Sequence, residues 1–290
     1  MDAILITGQK VLTSMPYFGA IAVILFLGKL LFDKTTTYQF DEELTTKDNK
    51  AFGTTLALYF VGLAIALSGL GFGIGTSPLD DLLNIAIYGP MTLAFVRLSI
   101  LVNNTFILHQ FDVHKEIIQD RNVGTAFVVG GGCVATGLTI SGALSGESAS
   151  AWMGVVDLLY YFVLGQVLLI VGGYVFQLIT SYDVHKVIGR DDNVAAGLSF
   201  GGFLVAIGII MRVALAGAGS NLAVETVTTL ILAVFGVVLL VLVRVITDKV
   251  LLPKSSLSKE IAVDRNVAAG AVAAASFISV ALVYAVSIGS

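Results

Sequence analysis

Long apolar runs alternate with short polar stretches along the whole chain. The runs cover approximately residues 16–33, 51–74, 82–108, 123–144, 152–180, 194–217, 222–247 and 267–288. Each can cross the ~30 Å hydrocarbon core of a bilayer, which takes about 20 helical residues. In lipid, backbone groups must be satisfied within the segment. Barrel strands would be shorter and would alternate in polarity, so eight transmembrane helices are expected. The first run follows a mostly neutral tail and ends in Phe32-Asp33-Lys34-Thr35, with no small-x-small cleavage pattern. It therefore reads as a mature helix and not as a signal peptide.

The polar stretches carry a repeat. Asp48-Asn49-Lys50-Ala51-Phe52-Gly53, Arg121-Asn122-Val123-Gly124, Asp192-Asn193-Val194-Ala195-Ala196-Gly197 and Arg265-Asn266-Val267-Ala268-Ala269-Gly270 set an asparagine before every second run. These asparagines are 73, 71 and 73 residues apart, and first to third and second to fourth are each 144 apart, half the chain. At that offset Tyr38 aligns with Tyr182, Gly53 with Gly197, Asp81 with Glu225, and Lys115-Glu116-Ile117 with Lys259-Glu260-Ile261. One such string would be noise, but four in phase mark a duplication. The expected fold class is an all-α integral membrane protein with eight transmembrane helices. It is made of four parallel hairpin repeats in two halves offset by 144 residues, a four-helix unit at 1–145 and a second at 146–290. Each quarter holds two helices, so every quarter enters the membrane with the same polarity. The repeats are then related by an axis along the membrane normal and are not inverted. A pseudo-symmetric bundle around a central axis is expected.

Composition agrees with a lipid solvent. The chain is 57% hydrophobic and 12% charged, where a soluble domain carries about 25% charged residues. No basic run of the kind that tracks phosphates occurs, so no nucleic-acid partner is expected. Lysine and arginine gather in the four long linkers and their flanks, from Lys34 and Lys47 to Lys259 and Arg265, and include Lys254. The short loops near 75–81, 145–151 and 218–222 hold none. The positive-inside rule then puts the linkers in the cytoplasm and both termini outside. Cys133 stands alone in an apolar stretch, which excludes a disulfide framework and a thiolate metal site.

Candidate chemistry falls into two groups. The first is the linker element itself: Asp48, Asn49, Asp120, Arg121, Asn122, Asp191, Asn193, Asp264, Arg265 and Asn266. These residue types cap the exposed N–H groups of a helix start; alternatively, four copies would form a cytoplasmic ring at a pore mouth or docking surface. Phe111 to Ile118, with apolar residues at 113, 117 and 118, suits a short amphipathic helix lying at the interface. The second group is ionisable and falls within the spans, where charge is costly and hence a functional candidate. It comprises Arg97, Asp157, Arg212, Glu225 and Asp81. Arg212 is expected to snorkel or to pair with Glu225, and Lys29 and Arg244, near the cytoplasmic ends, are expected to snorkel. Arg97 lies deepest, without a carboxylate at matching depth, and should face the bundle interior. His109, His114 and His185 lie near linkers and lack a third ligand, so no metal is expected, and no cofactor. No Ser/His/Asp set, zinc spacing or nucleotide motif is present, so an enzyme is not expected.

The linker pattern of aromatic-Asp, Glu-Ile, Asp-Arg-Asn and Ala-Ala-Gly resembles domain-of-unknown-function family 350, the YjfL-like bacterial inner-membrane proteins. It is carried by Phe111-Asp112 with Glu116 to Val123, by Tyr182-Asp183 with Asp191 to Gly197, and by Glu260 to Gly270. The first quarter departs with Gln39 for the Asp and Lys47-Asp48 for Asp-Arg, and the third has Val187 for the Glu. The resemblance implies two four-helix units in tandem, in a bacterial inner membrane, with both termini periplasmic. It brings no activity and no functional residues. Its members are similar to proteins of envelope-stress gene clusters, which makes cytoplasmic membrane-stress factors the implied partners.

Two functions fit these expectations. One is a channel or transporter-like conduit for a small cation, supported by the intramembrane charges and by the acids Asp80, Asp81, Glu147, Asp157 and Glu225 at the outer edge. The other is a non-transporting component in envelope stress that docks cytoplasmic partners through its amphipathic linkers.

Overall fold

A computed structural model describes residues 2–36, 38–71, 77–146, 150–216, 221–251 and 255–289. Glu147 and Lys254 lie outside the described residues. Among the described residues eight helices are long and apolar enough to cross a membrane: α1 (Asp2–Lys34), α2 (Lys50–Ser68), α3 (Pro78–Val102), α5 (Val123–Leu144), α6 (Ala151–Ile179), α7 (Val194–Leu215), α8 (Leu222–Leu251) and α10 (Val267–Ile288). Two short helices lie in the linkers, α4 (Val113–Ile118) and α9 (Leu257–Ala262). Single π-helical turns occupy Glu42–Thr46, Asn103–Ile107 and Lys186–Arg190. The protein is a multi-pass membrane protein whose elements follow the expected spans closely. The helix α1 runs back through Pro16 to Asp2, well before the expected start. The helix α2 ends at Ser68, and Gly71 beyond it takes a left-handed φ of 60°.

The second helices of the quarters, α2, α5, α7 and α10, form the core. They touch backbone to backbone, because glycines at their seams leave no side chain between them. A Cβ on Gly62 would lie 2.5 Å from the Cys133 carbonyl oxygen, one on Gly131 2.6 Å from that of Gly201, and one on Gly142 2.5 Å from that of Arg212. A Cβ on Gly197 would overlap the Gly124 carbonyl, and one on Gly270 the Ala195 carbonyl. Such close approach is how membrane helices associate where no hydrophobic force drives them together. Asparagine ends meet asparagine ends and far ends meet far ends, so the four helices run parallel, as the repeat implies.

The order of contacts corrects one expectation. The helix α5 packs between α2 and α7, and α7 between α5 and α10. In the apolar stretches of α5 and α7, 89% and 83% of residues are buried, against 50% in α2 and 28% in α10. The core is therefore an open row with two ends, not a bundle closed about a central axis. The first helices of the quarters form a second layer. The helix α3 sits against α2 and α5, α6 against α5 and α7, and α8 against α7 and α10. At the start of the row, α1 packs on α2 and α3. The apolar surface of this outer layer, including Leu159, Val163, Val234 and Phe235, is exposed and faces lipid.

Candidate functional site: the linker joints

Each linker ends in the same turn. Asp48, Arg121, Asp192 and Arg265 take φ values of 47°, 55°, 51° and 50°, a left-handed conformation uncommon outside glycine. The turn lets the next residue do several jobs. Asn49, Asn122, Asn193 and Asn266 each accept, through the side-chain oxygen, from the backbone N–H three residues on, at 3.0–3.2 Å. The backbone N–H of each closes back onto the carbonyl six residues earlier, at Glu43, Glu116, Val187 and Glu260. Where that earlier residue is glutamate, its carboxylate also accepts from the asparagine amide, at 2.9, 2.8 and 3.0 Å. This Glu–Asn clamp went unrecognised in the sequence, although the spacing recurs in three quarters.

The amide also joins one quarter to the next. Asn49 donates to the Ile117 carbonyl, Asn122 to that of Ile188 and Asn193 to that of Ile261, at 3.0, 2.7 and 2.7 Å. Asn122 further donates to Asp192 Oδ1 at 2.8 Å. These bonds step along the row, so the four copies make a staircase and not a ring. Asn49, Asn122 and Asn193 are buried, whereas Asn266 at the end of the row is exposed.

The linker helices turn their apolar faces inward. Val113 and Ile117 of α4 are buried against α2 and α5, and Leu257 and Ile261 of α9 are fully buried. Packing against the protein claims the face that was expected to lie at the membrane interface. Asp112 caps α4 at Lys115 N, and Ser256 takes the same role in α9 at Lys259 N. Outward lie Lys115 and Asp120, paired at 2.8 Å, and their half-repeat equivalents Lys259 and Asp264, paired at 3.2 Å. Arg121, Asp192 and Arg265 are exposed and Asp191 partly so.

The joints differ electrostatically. Burial alone would push the Glu43 carboxyl up, but hydrogen bonds from Lys47 and Asn49 outweigh it and hold it below the usual range. Burial raises Glu116, helped by Asp120 and Asp192, against the Asn122 bond. Burial and the nearby Asp120 raise Asp192 as well. Glu260 is lowered by hydrogen bonds from Asn266 and Ser255. Of these four carboxylates, the two held above their ordinary values, Glu116 and Asp192, share the middle joint between the halves.

The intramembrane candidates do not converge. Arg97 Nε donates to Thr35 Oγ1 at 2.7 Å and its Nη2 to the Thr35 carbonyl at 3.2 Å, with the guanidinium 5.1 Å from the Phe32 ring centre. It therefore closes off the last turn of α1, where unpaired carbonyls favour a cation. At the other end, Glu225 accepts from Tyr161 at 2.6 Å and from Asn221 N at 3.2 Å. Asp81 is buried beside Tyr17, and Asp157 lies near Tyr88 and Tyr161. Arg212 is exposed, and among the described residues no ion pair joins it to Glu225, so of the two expected arrangements the pairing is not met. Arg244, expected to snorkel, is buried and donates to Ser258 at 3.1 Å. Lys29 pairs with Asp33 at 3.0 Å.

One pocket was not foreseen. About 460 Å³ opens at the linker end between the halves, beside His109, Tyr174 and His185. The imidazoles lie 4.8 Å apart, and His185 Nε2 is 2.8 Å from the Ile107 carbonyl. Burial lowers the His185 pKa. No three metal-ligating side chains come together among the described residues.

A family model described as Domain of Unknown Function (DUF350) matches residues 6–144 and again residues 150–288. The chain belongs to this family. It is two DUF350 units in tandem, and the seam between α5 and α7 is where they meet. The half-repeat at offset 144 is thus the repeat of the family unit itself. No curated protein and no solved structure matches the chain.

Proposed function

We propose that the protein is a non-conducting membrane scaffold whose linker face docks a cytoplasmic protein. The observation that supports this most directly is the closure of the core seams by backbone contact. At Gly62, Gly131 and Gly142 the helices touch too closely to admit even a methyl group. An ion crossing lipid needs polar groups or water in file. The polar groups at depth are instead spent locally, as with Gln166 on Thr136 at 3.0 Å and Arg97 on Thr35. The linkers meanwhile present Lys115, Asp120 and Arg121 in the register of Lys259, Asp264 and Arg265. The lysine and arginine bias supports a cytoplasmic placement of this face in a bacterial inner membrane, with periplasmic termini. Family association makes a membrane-stress factor the class of partner this reading favours.

A second reading, a conduit for a small cation, is favoured by the acid and tyrosine cluster of Asp157, Tyr161 and Glu225 at the opposite end. One experiment separates the two. Purified protein in proteoliposomes, under a potassium, sodium or proton gradient, is expected to leak no faster than protein-free vesicles. A flux that Glu225→Gln reduces would overturn the scaffold and support the conduit.

A further inference from the structure

We infer that this chain assembles head to tail with further copies of itself, α10 of one copy packing on α2 of the next. The interface would reuse the joint that already unites the two halves. The inference stands apart from which partner the linkers bind.

The row has two unlike ends, and the chain itself supplies the matching surface for each. Counted from the cap asparagine, α5 meets α7 through Gly124, Gly131 and Ala135, and α7 answers with Gly197, Gly201 and Gly208. The registers of Gly124, Gly131 and Ala135 recur in α10 as Ala268, Ala275 and Ser279, all exposed. Those of Gly197, Gly201 and Gly208 recur in α2 as Gly53, Ala57 and Ala64, half-buried or exposed. Inside the chain the registers of Ala268 and Ala57 hold alanine opposite glycine, as Ala195 meets Gly270 and Ala274 meets Gly202, whereas the register of Ala275 is glycine in both α5 and α7, so the helices of a joint between copies would stand slightly farther apart there. Elsewhere the lipid-facing surface carries large residues such as Phe235 and Val163, so small ones here suit another helix better than lipid.

Four further features point to a second copy and not to some other helix. Gly197 and Gly270 are glycines because a neighbouring backbone crosses them, but Gly53, in the same register, has only the end of the Leu44 side chain at 3.4 Å. Nothing within one chain explains it. Asn266 has its Glu260 clamp but, among the described residues, no onward carbonyl, unlike Asn49, Asn122 and Asn193. The position equivalent to Ile117, Ile188 and Ile261 in the first linker is Leu44, five residues before Asn49. The charges match as well, since Glu260, Asn266 and a second copy's Asp48 would repeat the set Glu116, Asn122 and Asp192 found at the middle joint. Finally, α3, α6 and α8 each rest on two core helices, whereas among the described residues α1 packs mainly on one core helix, α2, and on α3 beside it. A preceding copy's α10 would complete its groove. Repeating one such unlike-faced contact builds a closed ring or an open filament, according to the rotation per step.

The test is cross-linking in native membranes on a Cys133→Ala background. Gly131 and Gly201 face each other at backbone contact in the chain, so Ala275→Cys and Ala57→Cys are the equivalent pair between copies. Oxidation of the double variant should give a ladder of dimer, trimer and higher bands. The two single variants co-expressed should give dimer only, and neither alone should cross-link. As a second measurement, Ala275→Phe should shift the wild-type protein in lipid nanodiscs from oligomer to monomer while leaving the monomer's melting temperature unchanged. A monomeric wild type, a double variant without cross-links, an Ala275→Cys that cross-links to itself, or capture of an unrelated protein at Ala275 would each overturn the inference.

Discussion

The seam between α5 and α7 makes a graded prediction at Gly131. A methyl group there would stand 2.6 Å from the Gly201 carbonyl oxygen and 2.7 Å from its Cα, where ordinary contact begins at 3.4 Å. The neighbour is backbone and cannot swing away, so Gly131→Ala must part the helices by roughly 0.8 Å. Strain of this kind costs about 1–3 kcal/mol, partly offset by up to about 1 kcal/mol of helix propensity gained on leaving glycine. Gly131→Leu gains nearly the same propensity, but its larger side chain cannot fit against backbone at this seam and should separate the two halves. At Gly53, by contrast, Gly53→Ala meets only a flexible leucine methyl, so in detergent-dispersed monomer it should be neutral or stabilising by up to about 1 kcal/mol. Reversible unfolding in mixed micelles, read by circular dichroism against denaturing detergent, measures both. Stability should fall from Gly to Ala to Leu at position 131 and should not fall at 53. A Gly131→Ala variant that is more stable than wild type would refute the backbone-contact account of the core.

Further outcomes follow from the joints and from Arg97. Asn122→Ala removes a cap worth ~0.5–2 kcal/mol and three amide contacts, so it should destabilise the fold more than Asn266→Ala, as the same detergent titration would show. Glu116 and Asp192 have raised pKa values, so their charged forms are disfavoured in the fold. Stability should therefore fall as pH climbs from the ordinary carboxylate value through the raised one, and Glu116→Gln should flatten that slope. The lowered Glu43 and Glu260 act oppositely and at lower pH, losing their contribution as pH drops through their depressed values. Arg97→Val should release the end of α1, seen as faster proteolysis near Thr35 with the rest of the fold intact; hydrogen bonds to a charged group are worth about 1.5–3 kcal/mol. Lys50→Cys should resist an impermeant thiol reagent in spheroplasts and Ser77→Cys should react, the reverse pattern removing the cytoplasmic assignment of the linkers.

The sequence showed the eight spans, most of their boundaries to within a few residues apart from the start of α1 and the end of α2, and the parallel repeat. Apolar run length and phase are local properties, written directly in the order of residues. It also marked the asparagines as caps, because capping needs a particular side chain at a particular helix start. The difference between a row and a ring was not legible, since identical repeats specify that neighbours contact alike but leave the rotation per step to packing. Glycines such as Gly131 and Gly201 permit close approach, but their positions in the sequence do not say which helix approaches. The clamp between Glu116 and Asn122 could have been noticed, because Glu116 and Glu260 were already aligned, but a spacing of six suits no helix face and so drew no reading. Arg97 appeared unmatched because its partners are a backbone carbonyl and a hydroxyl at Thr35, which charge pairing along the sequence cannot find.

The four left-handed residues alternate in sign along the row, Asp48, Arg121, Asp192 and Arg265. Arg265 sits within electrostatic range of Asp192, and Arg121 within range of Glu43 in the neighbouring joint. The alternation works as a reading frame. A step of one quarter always brings opposite signs together, and so does a junction of Arg265 with a following Asp48. A slip that skipped a quarter would set Arg265 beside an Arg121, or Asp192 beside an Asp48. Glycine seams alone are nearly indifferent to such slippage, because one helix of small residues fits much like another. The charges at the turns would make an out-of-frame pairing costly while leaving the in-frame one undisturbed.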